Sequence, residues 1–221
     1  MIKYYHKNNF FSIPFIKLIM KYIIHRGITS KQNKENSYLS IKKALLNKES
    51  LGVEFDIRLT KDYKIVLSHN SNIEGNIIEN MNYIDIIKIK YLTTLDKILD
   101  INSNKIFLID IKTNNNYKVF GDKLLELVNN CNKNIYLASF DKKIIKYLNT
   151  KYKKSIITLL YKKYNYDFII TNYMFISNNK INKIKDKEIF LWTIHNYNSL
   201  KEIKNKYNNI DNYYLIIDKK E

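Results

Sequence analysis

Four histidines, four glycines and two arginines occur in this chain of 221 residues. His25-Arg26-Gly27 sets three of these scarce types side by side. Gly52-Val53-Glu54-Phe55-Asp56-Ile57-Arg58 carries the second arginine beside two acids, and Val66-Leu67-Ser68-His69-Asn70 follows closely. Further on, the apolar run Phe107-Leu108-Ile109 leads straight into Asp110-Ile111-Lys112. On a strand, residues two apart share a face at roughly 6–7 Å. Glu54 and Asp56 therefore project together while Phe55 packs the other way, and Asp110 shares a face with Lys112. Three carboxylates meeting at one mouth repel one another, and one hard divalent cation, Mg²⁺ or Ca²⁺, relieves that repulsion. Histidines beside such an ion suit proton transfer to and from a phosphate ester. His25 and His69 are the candidates for that work. Arg26 and Lys112 would hold phosphate oxygens.

These groups need strands to carry them. Short apolar runs alternate with helical patterns along the chain, the signature of βα units around a parallel sheet. Strands are expected over 22–25, 52–59, 105–112, 135–139, 155–160, 189–195 and 213–217, with another inside 168–176. An extended arm is expected over 64–69. Helices are expected over 37–47, with a cap at Asn36 or Ser37, and over 95–99, 120–129, 142–151 and 199–207. Eight strands alternating with helices predict an α/β fold, a (β/α)8 barrel, whose catalytic groups gather at the carboxyl ends of its strands. The eighth strand lies so near residue 221 that the usual final helix is not expected. The barrel domain is expected over 22–221. Residues 1–21 form an extension whose apolar stretch, Phe10 to Met20, is expected to cover the face that helix would have covered.

Composition narrows the function class. The net charge of +17 suggests nucleic acid, but nearly all of it is lysine, scattered without blocks of five or six. Arginine, the better bidentate reader of phosphate and guanine, is almost missing. A Lys-, Asn-, Ile- and Tyr-rich chain is what AT-biased coding produces. No specific nucleic acid is expected, and loose attraction to anionic membranes or substrates fits better. No run approaches the length of a transmembrane helix. The one cysteine, Cys131, excludes an intrachain disulfide and fits a reducing compartment such as the cytoplasm, with peripheral membrane contact left open.

At this point the chain resembles a known family. His25-Arg26-Gly27, Glu35-Asn36, the run from Gly52 through Thr60 to Asp62, and Val66 to Asn70 are similar to the opening of the glycerophosphodiester phosphodiesterases. Thr94-Leu95, Ile109 to Lys112, Ser139-Phe140 and Leu191-Trp192-Thr193-Ile194 resemble that family's later motifs. The resemblance spans roughly 22–218. It implies hydrolysis of glycerophosphodiesters to glycerol 3-phosphate and an alcohol. It also implies His25 and His69 as the acid/base pair, Glu54, Asp56 and Asp110 as ligands of one divalent cation, and Arg26 and Lys112 on phosphate. Phe140 and Trp192 would form an apolar wall against the substrate's alcohol part or, as the plainer alternative, fill the barrel.

Three departures bear on substrate. Asp110 stands where the family usually has Glu, and Asp110-Ile111-Lys112-Thr113 resembles the related sphingomyelinase D enzymes instead. A lysophospholipase D or sphingomyelinase D-like activity on choline lipids is therefore the enzymatic alternative, and a non-catalytic basic barrel that binds anionic lipid or nucleic acid is the other. Asn70 replaces an expected Asp after His69, so it can orient that ring but brings no charge. The segment after Asn70 is short and lacks an arginine-threonine motif. Of the other histidines, His195, just past the Trp192 strand, is expected at the surface, with the pocket rim as the alternative, and His6 in the terminus.

Overall fold

The computed structural model describes residues 21–221, apart from 114–115, 162–164, 185 and 208–212. The expectation for the segment from Phe10 to Met20 therefore falls outside the described residues. In chain order the elements are β1 (Tyr22–Thr29), α1 (Tyr38–Leu46), β2 (Gly52–Leu59), β3 (Ile65–Leu67), β4 (Asn72–Ile73) and β5 (Asn76–Ile77). There follow α2 (Tyr83–Ile89), α3 (Leu95–Leu99), β6 (Ile106–Ile111), α4 (Tyr117–Val128), β7 (Asn134–Ser139), α5 (Lys142–Tyr147) and β8 (Lys153–Thr158). The chain then forms β9 (Ile169–Asn172), α6 (Asn178–Asn182), β10 (Ile189–Ile194), α7 (Tyr197–Lys206) and β11 (Tyr213–Lys220).

Eight of these strands are parallel and close on themselves, in the order β1, β2, β6, β7, β8, β9, β10, β11 and back to β1. This is the (β/α)8 barrel. β3 adds antiparallel to β2, and β4 with β5 makes a small separate hairpin. The expected 64–69 arm is thus a short edge strand outside the barrel ring.

The period of two on each strand sorts the core into two layers. Ile23, Leu108, Tyr136, Phe168, Phe190 and Ile216 fill the barrel interior. Phe55, Ile57, Phe107, Ile109 and Leu137 face outward and pack with α1, α4 and α5 through Ile41, Leu124 and Ile144. Each fully buried Ile, Leu or Phe contributes about 1.5–3 kcal/mol relative to exposure. Ser37 caps α1 in a reciprocal capping box with Ser40. Gly52 is required where β2 meets β6, because a Cβ there would lie 2.2 Å from the Ile106 carbonyl oxygen.

Two departures from the sequence expectations are the largest. β1 does not end at His25 but runs to Thr29 through a break in register between Ile24 and Ile28. The break holds Arg26 at φ +53° and Gly27 at +89°. A Cβ on Gly27 would lie 2.5 Å from the Ser40 carbonyl carbon, so only glycine allows α1 to pack there. The second departure is a set of extra elements, α2, α6 and the β4–β5 hairpin, in stretches without helical or strand periodicity.

Candidate active site

A cavity of about 590 Å³ opens at the carboxyl ends of the barrel strands. It is lined by every residue singled out for chemistry: His25, Arg26, Glu54, Asp56, His69, Asp110, Lys112, Phe140 and Trp192. β2 supplies Glu54 and Asp56, and β6 places Asp110 beside Asp56 in register. One oxygen from each of Glu54, Asp56 and Asp110 lies within 4.8 Å of the others, and all three side chains are buried.

Cations surround this trio unevenly. Lys112 Nζ lies 2.6 Å from Asp110 Oδ2 and 3.1 Å from Asp56 Oδ1. Arg26 Nε approaches Asp56 Oδ2 at 2.9 Å without the angle of a hydrogen bond. Arg26 Nη1 pairs with Glu35 at 3.2 Å. Asn36, in the left-handed region at φ +54°, donates from Nδ2 to Asp56 Oδ2 at 2.9 Å and accepts the Asp56 backbone N–H at 3.1 Å. The β1 bulge turns the Arg26 backbone N–H toward Glu54 Oε2 at 3.3 Å.

The carboxylates split accordingly. Burial pushes Glu54 well above the usual carboxylate range, and its neighbours Asp56 and Asp110 push the same way. Burial likewise raises Asp110, to about 6, despite Lys112. Burial acts upward on Asp56 too, but Arg26, Lys112 and the Asn36 amide hold it below its ordinary value. Asp110 Oδ1 is buried with no hydrogen-bond partner. Three hard oxygen donors, two of them hard to ionise as they stand and one with an orphaned oxygen, fit a divalent cation.

The histidines flank the acids. His25 Nδ1 lies 2.6 Å from Asp218 Oδ1, and its Nε2 lies 3.7 Å from Glu54 Oε2. A carboxylate only accepts, so Nδ1 carries the proton and Nε2 faces the acids. His69 Nδ1 sits 2.9 Å from Asn70 Oδ1, which gives Asn70 the orienting role expected of it. Arg58 donates twice to the His69 carbonyl oxygen, at 3.1 and 2.8 Å, and is anchored by Glu79 at 2.7 Å. The second of the two arginines thus fixes the loop that carries His69. Trp192 and Phe140 meet edge to face at 6.1 Å and, with Ile157, Ile170 and Ile216, form the cavity's apolar side.

Sequence reasoning missed Asp218. Asp218, near the end of β11, also takes His195 Nδ1 on its Oδ2 at 2.6 Å. Burial raises the Asp218 carboxyl, but its two imidazole partners outweigh this and hold it below the ordinary value. His195 stands on the rim of the cavity, with its side chain 65% exposed. The signal for Asp218 was available: a carboxylate just past the apolar run of a barrel strand, as with Asp110.

Residues 25–209 match the model of the glycerophosphoryl diester phosphodiesterase family. The chain belongs to this family. It is a phosphodiester hydrolase by that membership. The fold agrees. A glycerophosphodiester phosphodiesterase from Thermotoga maritima superposes with a TM-score of 0.70 at 23% identity, over 90% of this chain and 94% of that one. One from Parabacteroides distasonis gives 0.73 at 19%, over 90% and 92%. An Oleispira antarctica phosphodiesterase, solved in complex with the product sn-glycerol-3-phosphate, gives 0.75 at 14%, over 90% and 93%. No match was found among curated protein sequences.

Proposed function

We propose that this family member hydrolyses a small glycerophosphodiester to glycerol 3-phosphate and an alcohol, with His25 and His69 as the proton-transfer pair. The observation that carries the reading is the meeting of both imidazoles, the three carboxylates, Arg26 and Lys112 around one cavity. The sn-glycerol-3-phosphate bound by the Oleispira antarctica phosphodiesterase supports the same product here.

Glu54, Asp56 and Asp110 would hold one divalent cation, Mg²⁺ or Ca²⁺. Such an ion, when bound, supplies Lewis-acid stabilisation of charge on phosphoryl oxygen. The chain's own groups do the rest. Arg26 and Lys112 attract the phosphate and stabilise the charge that builds on it during displacement. Asp218 fixes the His25 tautomer so that Nε2 can take or give a proton on the cavity side. Asn70 and Arg58 hold His69 from the side chain and the backbone. The Phe140–Trp192 wall excludes water from one side of the phosphate and takes the less polar part of the alcohol.

A second reading has its own support. The cavity's apolar side and the Asp110-x-Lys112-Thr113 run would also suit a lipid alcohol, in a lysophospholipase D or sphingomyelinase D-like reaction. One experiment separates these. The purified chain is incubated with glycerophosphocholine and, separately, with lysophosphatidylcholine, each with Mg²⁺, with Ca²⁺ and with chelator. Cation-dependent glycerol 3-phosphate release from the first is the expected result. Turnover of the second alone transfers the assignment to the lipid reaction. No turnover of either leaves a binding barrel and refutes both.

A further inference from the structure

We infer that the carboxyl-end rim of the barrel docks on an anionic phospholipid bilayer, through an apolar arc beside the active-site mouth. Five large apolar side chains form the arc. Phe140 follows β7 directly, Leu159 and Leu160 follow β8, and Met174 and Phe175 lie in the single 3₁₀ turn after β9. These three strands are neighbours in the barrel, so their carboxyl ends bring the five together on one arc. Each is between 50% and 60% exposed. Large apolar groups scattered singly need no explanation, but a contiguous set beside an active-site mouth marks an interaction surface.

The arc is held out rather than left loose. Asn172 caps the 3₁₀ turn, accepting the Met174 backbone N–H at 2.9 Å. The Tyr207 hydroxyl donates to the carbonyls of Tyr173 and Ile176, at 2.9 and 2.8 Å, and Lys206 adds a bond to the Tyr173 carbonyl at 3.1 Å. Tyr173 and Ile176 are buried while Met174 and Phe175 between them face solvent. The backbone that presents the two side chains is thus pinned at both ends, so exposing them costs little further ordering when they meet a partner.

Charge selects the partner. The chain carries +17 overall, and exposed Lys142 and Lys143 directly follow the arc at the start of α5. Asp141 is the one acid among the described residues 140–143, 159–161 and 173–180, and it is occupied by Thr113 and by the Lys143 backbone. Apolar side chains flanked by lysine are what an anionic bilayer binds: the side chains enter the headgroup boundary and the lysines meet its negative surface. Phe140 belongs to both the arc and the cavity wall, so docking sets the mouth against the headgroup layer.

The test sediments the full chain with vesicles of phosphatidylcholine alone and of equal parts phosphatidylcholine and phosphatidylglycerol. Binding to the mixed vesicles and not to the neutral ones, weakened by salt, is expected. Leu160→Ser with Phe175→Ser should weaken that binding at least about tenfold, while turnover of a small soluble phosphodiester stays unchanged. Leu46→Ser, which removes an even more exposed leucine at the far end of the barrel, should leave binding intact. Failure of the wild type to sediment with the mixed vesicles overturns the proposal. Undiminished binding by the double variant overturns it too, because lysine alone would then suffice. A dimer in solution that the double variant dissociates would give the arc to a second copy of the chain and equally overturn it.

Discussion

The two ends of this barrel treat a carboxylate in opposite ways. At the amino end, Glu188 just before β10 receives the Tyr136 hydroxyl at 2.9 Å, Lys153 Nζ at 2.6 Å and the Tyr214 hydroxyl at 3.1 Å. Phe168 and Phe190 pack edge to face with Tyr136 above this cluster, and Tyr214 stacks on Phe190 at 4.8 Å. Burial raises Glu188, but Lys153 and the two phenols hold it below the ordinary range. At the carboxyl end, burial raises Glu54 and Asp110, Asp56 pushes both further up, and one Asp110 oxygen has no partner. One end closes the barrel with a satisfied anion. The other keeps its anions short of partners, which destabilises the free chain and leaves coordination capacity for a ligand. Function and stability are thus separated along the barrel axis, and that separation can be broken from either end.

The largest effect is expected at the mouth. His25→Ala and His69→Ala should each lower turnover by ~100-fold or more, the usual range for a general acid or base, with melting temperature nearly unchanged. Steady-state rates on glycerophosphocholine beside thermal denaturation check this. Near-normal turnover in either variant removes that imidazole from the reaction. The floor should give the converse. Glu188→Ala strands two phenols and a lysine and should cost about 1–3 kcal/mol of stability, with the turnover number held. A denaturant midpoint that does not move would mean the Glu188 cluster is not what closes the barrel.

The comparison also has a sign in pH. Glu188 has a folded pKa below its unfolded one, so its contribution is complete above the ordinary carboxylate range and is lost as pH falls through the folded value. Asp110 is the reverse. Its folded pKa of about 6 exceeds the unfolded one, so its contribution is complete in acid and is lost as pH rises through 6. In chelator, urea midpoints should therefore fall between pH 5 and 7, and Glu54→Gln should raise the midpoint at neutral pH by removing a carboxyl whose ionisation the folded site opposes. Added Mg²⁺ or Ca²⁺ should restore the wild type more than the variant, whose affinity by titration calorimetry should be weaker. A metal-free midpoint flat across that range would show that the acids at the mouth do not oppose folding, and equal affinity in both proteins would remove Glu54 from the ligand set.

Much of this contrast was legible in the sequence, and the rest was hidden for physical reasons. The acid trio could be read because strand periodicity forces Glu54 and Asp56 to one face and apolar runs mark β2 and β6 on either side. The eight strands were legible from the same runs. The helix Tyr83–Ile89 was not, because four of its seven residues are isoleucine, which is β-branched and disfavours a helix, and its register shows only in the packing of buried Ile86. Asp218 carried the same signal as Asp110, a carboxylate after an apolar run, but with Lys219 and Lys220 directly after it there is no second acid on its strand to mark a site. β1 was cut short at His25 because Arg26 and Gly27 read as a turn, whereas the register break lets the strand resume. Asn36 was read as a candidate helix cap and as part of the family motif, but nothing in its spacing says that its amide will embrace Asp56.

The smallest effect belongs to His195, and it decides what Asp218 is for. Asp218 divides its two oxygens, Oδ1 to His25 and Oδ2 to His195, each at 2.6 Å. If the carboxylate serves to hold the His25 tautomer, its first oxygen does the work and the second is a brace. Asp218→Asn should then lower turnover about tenfold and displace the pH profile, because the amide can present a donor to Nδ1 and favour the wrong tautomer. His195→Ala removes only the brace, from a ring that is itself mostly in solvent. It should cost no more than about twofold to threefold, within the scatter of removing one exposed contact. A loss as deep as that of His25→Ala would make His195 a third proton carrier and make Asp218 the shared base of two working imidazoles.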